Sequence, residues 1–178
     1  MLNEGKVLVG LAALRRGVSD YIAAGTRIGL GLFLGMLAEA EADAGLLEEA
    51  LRTVGDAIVS TVEEGAWQPY LLWVKGRLLL DTARLSGSQS TTDGSEAGEG
   101  LEKAEQTFRD AIAFAERIGA KTIQLRAATA LTKLLVSRGS AREASHLLAP
   151  LYPGFTQGQE TADLVEARQA LDELKQCA

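Results

Sequence analysis

One pattern of spacing recurs along this chain and restricts its fold more than any other feature. Small or apolar residues lie on one segment, a glycine follows, and a second segment carries an alanine at a fixed distance. Leu34, Leu37, Ala38, Gly45, Ala50, Val54 and Ala57 are separated by 3, 1, 7, 5, 4 and 3 residues. Ala128, Leu131, Thr132, Gly139, Ala144, Leu148 and Leu151 repeat those separations. A middle copy runs through Leu72, Gly76 and Leu79, then Ala104, Phe108 and Ala111, and a half-copy holds Gly10, Leu14 and Gly17. Apolar residues three and four apart share one helix face, so each copy predicts a helical hairpin turning at its glycine. Alanine or glycine at the crossing lets the backbones approach while larger leucines interlock around it. Hairpins in series predict an all-α fold, a right-handed α-solenoid of about seven to eight helices in which each unit buries its face on the next.

The intervals locate an insertion. Gly10 to Ala50 is 40 residues, Ala50 to Ala104 is 54, and Ala104 to Ala144 is 40. The excess lies inside the middle hairpin, where Gly76 to Ala104 takes 28 residues against 12 for Ala38 to Ala50. There Ser86 to Gly100 is built from Ser, Gly, Thr, Asp, Glu and Gln with one Ala. So polar a stretch buries too little apolar surface to offset its ordering entropy and predicts a flexible loop joining antiparallel helices. The organisation expected for 1–178 is a single domain: half repeat 3–27, repeat 28–66, repeat 67–120 with the flexible insertion 86–100, repeat 121–152 and a C-terminal cap helix 161–176. Helices are expected near Asn3–Ala24, Gly29–Ala44, Leu47–Glu64, Gln68–Leu85, Leu101–Ile118, Lys121–Arg138, Ala141–Ala149 and Asp163–Gln176. Gly45, Gly119 and Gly139 are expected as left-handed stops. Ser140 with Glu143, and Asp163 with Glu166, are expected as helix-start caps. Pro150 and Pro153 end the seventh helix.

Composition narrows the function. Aromatics are only 5% and there are three prolines, which favours helices over a β-sandwich or barrel. A formal charge of −6 argues against nucleic-acid binding through the phosphate backbone. The uncharged run Ile28 to Ala38 is too short to span a bilayer, and Arg15 and Arg16 stand where a signal-peptide cleavage site would be. Cys177, the single cysteine, allows no internal disulfide and fits a reducing, cytoplasmic setting as an unreactive tail thiol. Gly5-Lys6 lacks the upstream glycine and hydroxyl residue of a phosphate-binding loop, and Gly29-x-Gly31 lacks the third glycine of a dinucleotide fingerprint. Gly31 and Gly35 read as a tight helix crossing. One histidine, His146, and one cysteine supply no zinc site. His146 has no nucleophile spaced to meet it and reads as a surface residue. Adjacent carboxylates such as Glu48–Glu49 and Glu63–Glu64 diverge on a helix and read as solvated. No catalytic residue, metal site or cofactor is expected.

The repeat positions resemble tetratricopeptide repeats, although the period of 38–40 also suits HEAT-like helical pairs. Longer stretches carry a narrower resemblance: Leu37-Ala38-Glu39-Ala40, Leu125-Arg126-Ala127-Ala128-Thr129-Ala130-Leu131, Leu148-Ala149-Pro150-Leu151-Tyr152, Phe155-Thr156-Gln157-Gly158, Thr161-Ala162-Asp163-Leu164 and Ala170-Leu171-Asp172-Glu173-Leu174. From about Leu14 to Leu174 the chain resembles the C-terminal tetratricopeptide segment of bacterial signalling proteins with an N-terminal class III adenylate/guanylate cyclase domain and a central predicted ATPase. It departs from that family at Gly154, usually aromatic, and at Gln159-Glu160, usually Phe-Asp. The resemblance implies a non-catalytic interaction or regulatory module, since neither the cyclase nor the ATPase portion is present. The alternatives are a self-associating structural fragment without a groove ligand, or a detached regulatory part of a cyclase.

In tetratricopeptide proteins the first helix of each pair lines a concave groove. By repeat position that face carries Leu32, Glu39 and Asp43, then Tyr70, Trp73, Arg77 and Asp81, then Arg126, Thr129, Lys133 and Ser137. Glu39, Tyr70, Trp73, Arg77, Arg126 and Lys133 are the candidate peptide-binding residues. Tyr70, Trp73 and Arg77 share a helix face and have the composition of a binding hot spot, while Arg77, Arg126 and Lys133 suit an acidic protein or peptide partner. The competing reading has Tyr70 and Trp73 partly in the core and the basic residues merely solvated. The first helix matches the second member of a pair whose partner is absent. Val7, Leu8, Leu11, Leu14 and Val18 then exceed what one neighbour covers, which predicts a homodimer through this helix or a chain that extends further N-terminally.

Overall fold

The computed structural model describes residues 2–89 and 94–176. These residues form eight α-helices and no strand: α1 Leu2–Ala23, α2 Leu30–Asp43, α3 Leu47–Ser60, α4 Gln68–Gln89, α5 Gly94–Ile118, α6 Lys121–Ser137, α7 Ala141–Leu148 and α8 Ala162–Gln176. Short 3-10 turns follow at Val62–Glu64 and Tyr152–Gly154. Cys177 lies outside the described residues.

Three helices stop by the same device. Gly45, Gly119 and Gly139 take φ values of 80°, 73° and 78°, a conformation that costs glycine little and other residues much. Beyond each glycine a backbone N–H reaches back five residues to close the helix end. Leu46 donates to the Glu41 carbonyl at 2.9 Å, Ala120 to Ala115 at 2.8 Å and Ser140 to Leu135 at 2.9 Å. These Schellman bonds satisfy carbonyls that the helix itself leaves open.

The chain packs as two compact units, Met1–Ala104 and Glu105–Ala178. In the first, α1 packs on α2, and α2, α3 and α4 pack on one another. Ala38, Ala50, Val54 and Ala57, the small and apolar repeat positions, are all 0% exposed. The α2–α4 crossing depends on two glycines. A Cβ on Gly31 would lie 2.9 Å from the Trp67 Cβ. One on Gly35 would overlap the Tyr70 ring, 3.0 Å from its Cζ. In the second unit α6, α7 and α8 pack on one another. Leu125, Ala128, Leu148, Leu164, Ala167 and Ala170 form a shared core, flanked by Tyr152 and Phe155. The turn between α7 and α8 is held by Gln159, at one of the departures from the resembled family. Tyr152 Oη donates to its Oε1 at 2.7 Å, and its Nε2 donates to the Phe155 carbonyl at 2.6 Å.

The structure departs from the sequence expectations in three places. Ser86–Gln89 belong to α4 and Gly94–Gly100 to α5, so the expected loop 86–100 is helical at both ends; residues 90–93 lie outside the described residues. Its glutamates and alanine have good helix propensity, Glu99 pairs with Lys103 at 2.7 Å one turn on, and Gly100 admits Ala83 of α4. Second, neither expected cap forms as such. Ser140 precedes α7 without a side-chain cap bond, and Glu143 turns to Arg109 at 2.7 Å. Helix α8 begins at Ala162, which puts Asp163 inside it, paired with Arg126. Third, the N-terminal half-copy does not pack as the others do. Gly10 and Gly17 are exposed with nothing within 4 Å of an added Cβ, while Leu11, Leu14 and Val18 meet α2.

Polar anchoring compensates on α1. Glu41 of α2 is 4% exposed, and it accepts from Arg15 Nη2 at 2.8 Å and from Thr53 Oγ1 at 2.7 Å. Arg15 also bonds Glu49. The hydrogen bond that Arg15 donates to Glu41 is the main reason its guanidinium is held above its usual pKa. A buried carboxylate is tolerated only when paired and hydrogen-bonded in this way, so this group ties α1, α2 and α3 together.

Candidate functional site

Four of the six candidate groove residues assemble on the first unit. Helix α4 presents Tyr70, Trp73 and Arg77 at i, i+3 and i+7, one stripe of its surface. Helix α2 brings Glu39 against that stripe. Tyr70 Oη donates to Glu39 Oε2, and Arg77 Nη1 donates to Glu39 Oε1 at 3.0 Å. The Arg77 guanidinium lies 4.9 Å from the Trp73 ring centroid, within cation–π range. The Tyr70 and Trp73 rings are tilted at 31° with centroids 6.0 Å apart. Tyr70 is core, only 6% exposed, its ring seated where Gly35 has no side chain. Trp73 is half-buried and Arg77 exposed. Beside them is a recess of about 80 Å³ lined by Glu39, Asp43, Val74, Arg77, Leu78 and Asp81. That is well below the roughly 300 Å³ at which small-molecule sites begin, so the face suits contact with a protein surface.

The other two candidates, Arg126 and Lys133, lie on α6 in the second unit, and α8 covers them. Arg126 Nε meets Asp163 Oδ1 at 2.8 Å, and Lys133 Nζ meets Glu166 Oε1 at 2.7 Å. Thr129, between them on the same face, is 3% exposed, and its hydroxyl has no hydrogen-bond partner among the described residues. Helix α8 therefore occupies the face that the sequence assigns to a ligand. All three cations expected to attract an acidic partner are paired with the chain's own carboxylates: Arg77 with Glu39, Arg126 with Asp163, Lys133 with Glu166. Partners 33 to 38 residues distant leave no signal within a single helix.

A second concavity, not anticipated from the repeat positions, lies between α7 and α8. It has a volume of about 510 Å³ and is lined by Ala141, Arg142, Ser145, His146, Ala149, Leu171, Leu174 and Lys175. The signal in the sequence is the pair Arg142 and His146 at i and i+4 on a short helix whose opposite side carries Leu148. Among the described residues, no group of three or more His, Cys, Asp or Glu is placed to hold a metal. No helix among them is long and apolar enough to cross a membrane. No protein-family model matches the chain, and no curated protein matches it significantly.

Proposed function

We propose that this chain is a non-catalytic protein-interaction module, a regulatory scaffold of stacked, tetratricopeptide-like helical hairpins acting in the cytoplasm. The single observation that carries the reading is the preassembled Tyr70–Trp73–Arg77–Glu39 cluster on α2 and α4. Glu39 holds Arg77 over Trp73 before any partner arrives, so little side-chain entropy is lost on contact. Aromatic and arginine side chains of this kind dominate binding energy at protein interfaces. The repeated glycine stops and buried alanines support a hairpin series, and the resemblance to the tail of cyclase–ATPase signalling proteins supports a regulatory role. Affinity capture from the native cell tests the reading. A specific partner held by the wild type and by Arg52→Ala is expected to be lost from Trp73→Ala and Arg77→Glu, all four proteins having the same circular dichroism. Retention of that partner by both face variants would remove the proposal.

A second reading has its own observation. Helix α1 leaves Val9 72% exposed, and Gly10, Ala13 and Gly17, exposed as well, lie on the same side of the helix. A smooth apolar helix face of this kind suits a close helix–helix contact between two copies. On this reading light scattering records a dimer that Val9→Glu converts to monomer; a wild-type monomer at all concentrations rules it out.

A further inference from the structure

We propose that the groove between α7 and α8 is a second docking site, which takes an acidic amphipathic helix from a partner protein. Its apolar lining is formed by Ala141 of α7 and Ala149 just beyond that helix, with Leu171 and Leu174 of α8. Its polar lining is basic: Arg142 and His146 on α7 and Lys175 on α8, with the Ser145 hydroxyl between. Arg142 and His146 are exposed and form no ion pair among the described residues. They differ in this from Arg77, Arg126 and Lys133, whose charges are already answered. Lys175 leans on Asp172 at 2.7 Å, and that contact holds the Asp172 carboxyl below its usual pKa. Lys175 and Asp172 thus answer each other, which leaves Arg142 as the open cation of the groove. In a chain of net charge −6, the residues that line this groove include no carboxylate.

The volume of 510 Å³ falls within the range of ligand sites. The groove is an open trough between two helices, however, and does not enclose a small molecule on the 70–90% of its surface that such ligands bury. An open apolar trough with a charged rim matches one face of a helix, with leucine-like anchors at i, i+3, i+4 and i+7 inserted and acidic residues flanking them. Arg142 supplies a forked donor to a carboxylate, and His146 donates a ring N–H in either protonation state. The inference rests on the interaction-module reading but uses a different face.

Fluorescence polarisation with a labelled amphipathic Leu/Glu helix, and with the same peptide carrying Lys for every Glu, tests it on the full chain. The Leu/Glu peptide is expected to bind saturably and the Leu/Lys peptide not. Arg142→Glu and His146→Glu, both at exposed positions, are each expected to weaken binding about tenfold or more. Arg52→Glu and Arg84→Glu, exposed positions on α3 and α4, make the Arg142→Glu charge change elsewhere and are expected to leave it unaltered. Trp73→Ala is also expected to leave it unaltered, so failure of the α4 face and failure of this groove are read separately. Absence of saturable binding, equal binding of the Lys peptide, or equal loss in all four charge variants would overturn the proposal. Saturable binding of decanoate without peptide binding would overturn it too, assigning the groove to a small amphipathic acid instead.

Discussion

Gly35→Val is expected to destabilise the protein by about 3 kcal/mol or more, lowering the melting temperature by roughly 6–12 °C for a chain of this size. Even the first carbon of a new side chain would overlap the Tyr70 ring. That ring has little room to yield: it is 6% exposed, and its hydroxyl is tied to Glu39. Either α2 and α4 separate or Tyr70 leaves its pocket and breaks the cluster with Glu39. The sign is the diagnostic part. Glycine within a helix normally costs about 0.5–1 kcal/mol relative to alanine, so Gly17→Ala, where the added carbon meets nothing, is expected to stabilise. Thermal denaturation of the two variants should therefore move in opposite directions. A neutral Gly35→Val would mean that α2 and α4 do not cross there.

The second large effect is Phe108→Ala, expected to cost about 3–5 kcal/mol, or roughly 10 °C or more. Phe108 is the largest of the fully buried side chains. Its neighbours along α5, Ala104, Ala111 and Ala115, are also 0% exposed and too small to fill the void it would leave. Val59→Ala, at a residue 75% exposed, is the comparison, and should fall within about 0.5 kcal/mol of wild type. Urea denaturation followed by circular dichroism measures both. Equal midpoints would contradict the burial of Phe108.

The sequence made the helices legible because their signals are local. Gly45, Gly119 and Gly139, expected as helix stops, do take positive φ, and Ala50, Ala104 and Ala144, marked by their spacing as small positions, are buried. The polar stretch 86–100 was misjudged at its ends because a surface helix needs no buried face along its whole length; intrinsic propensity and pairs such as Glu99–Lys103 suffice. Gly10 and Gly17 matched the repeat by spacing alone, and nothing in spacing tells which face of an end helix is covered. The candidate site was half legible. Tyr70, Trp73 and Arg77 sit on one helix and were found together, and repeat position supplied Glu39. Arg126 and Lys133 were assigned to an open face because their partners, Asp163 and Glu166, come from a helix that only tertiary packing brings near. The α7–α8 groove escaped for the same reason, since Lys175 and Leu171 join Arg142 and His146 from a separate helix.

Hydrogen–deuterium exchange on the wild-type protein, alone and with its captured partner, tests the central claim most directly. The account predicts slowed exchange across residues 69–77 of α4 and the facing part of α2 around Glu39, with no such protection in Trp73→Ala. Protection confined to other segments, with 69–77 exchanging as in the free protein, would contradict it.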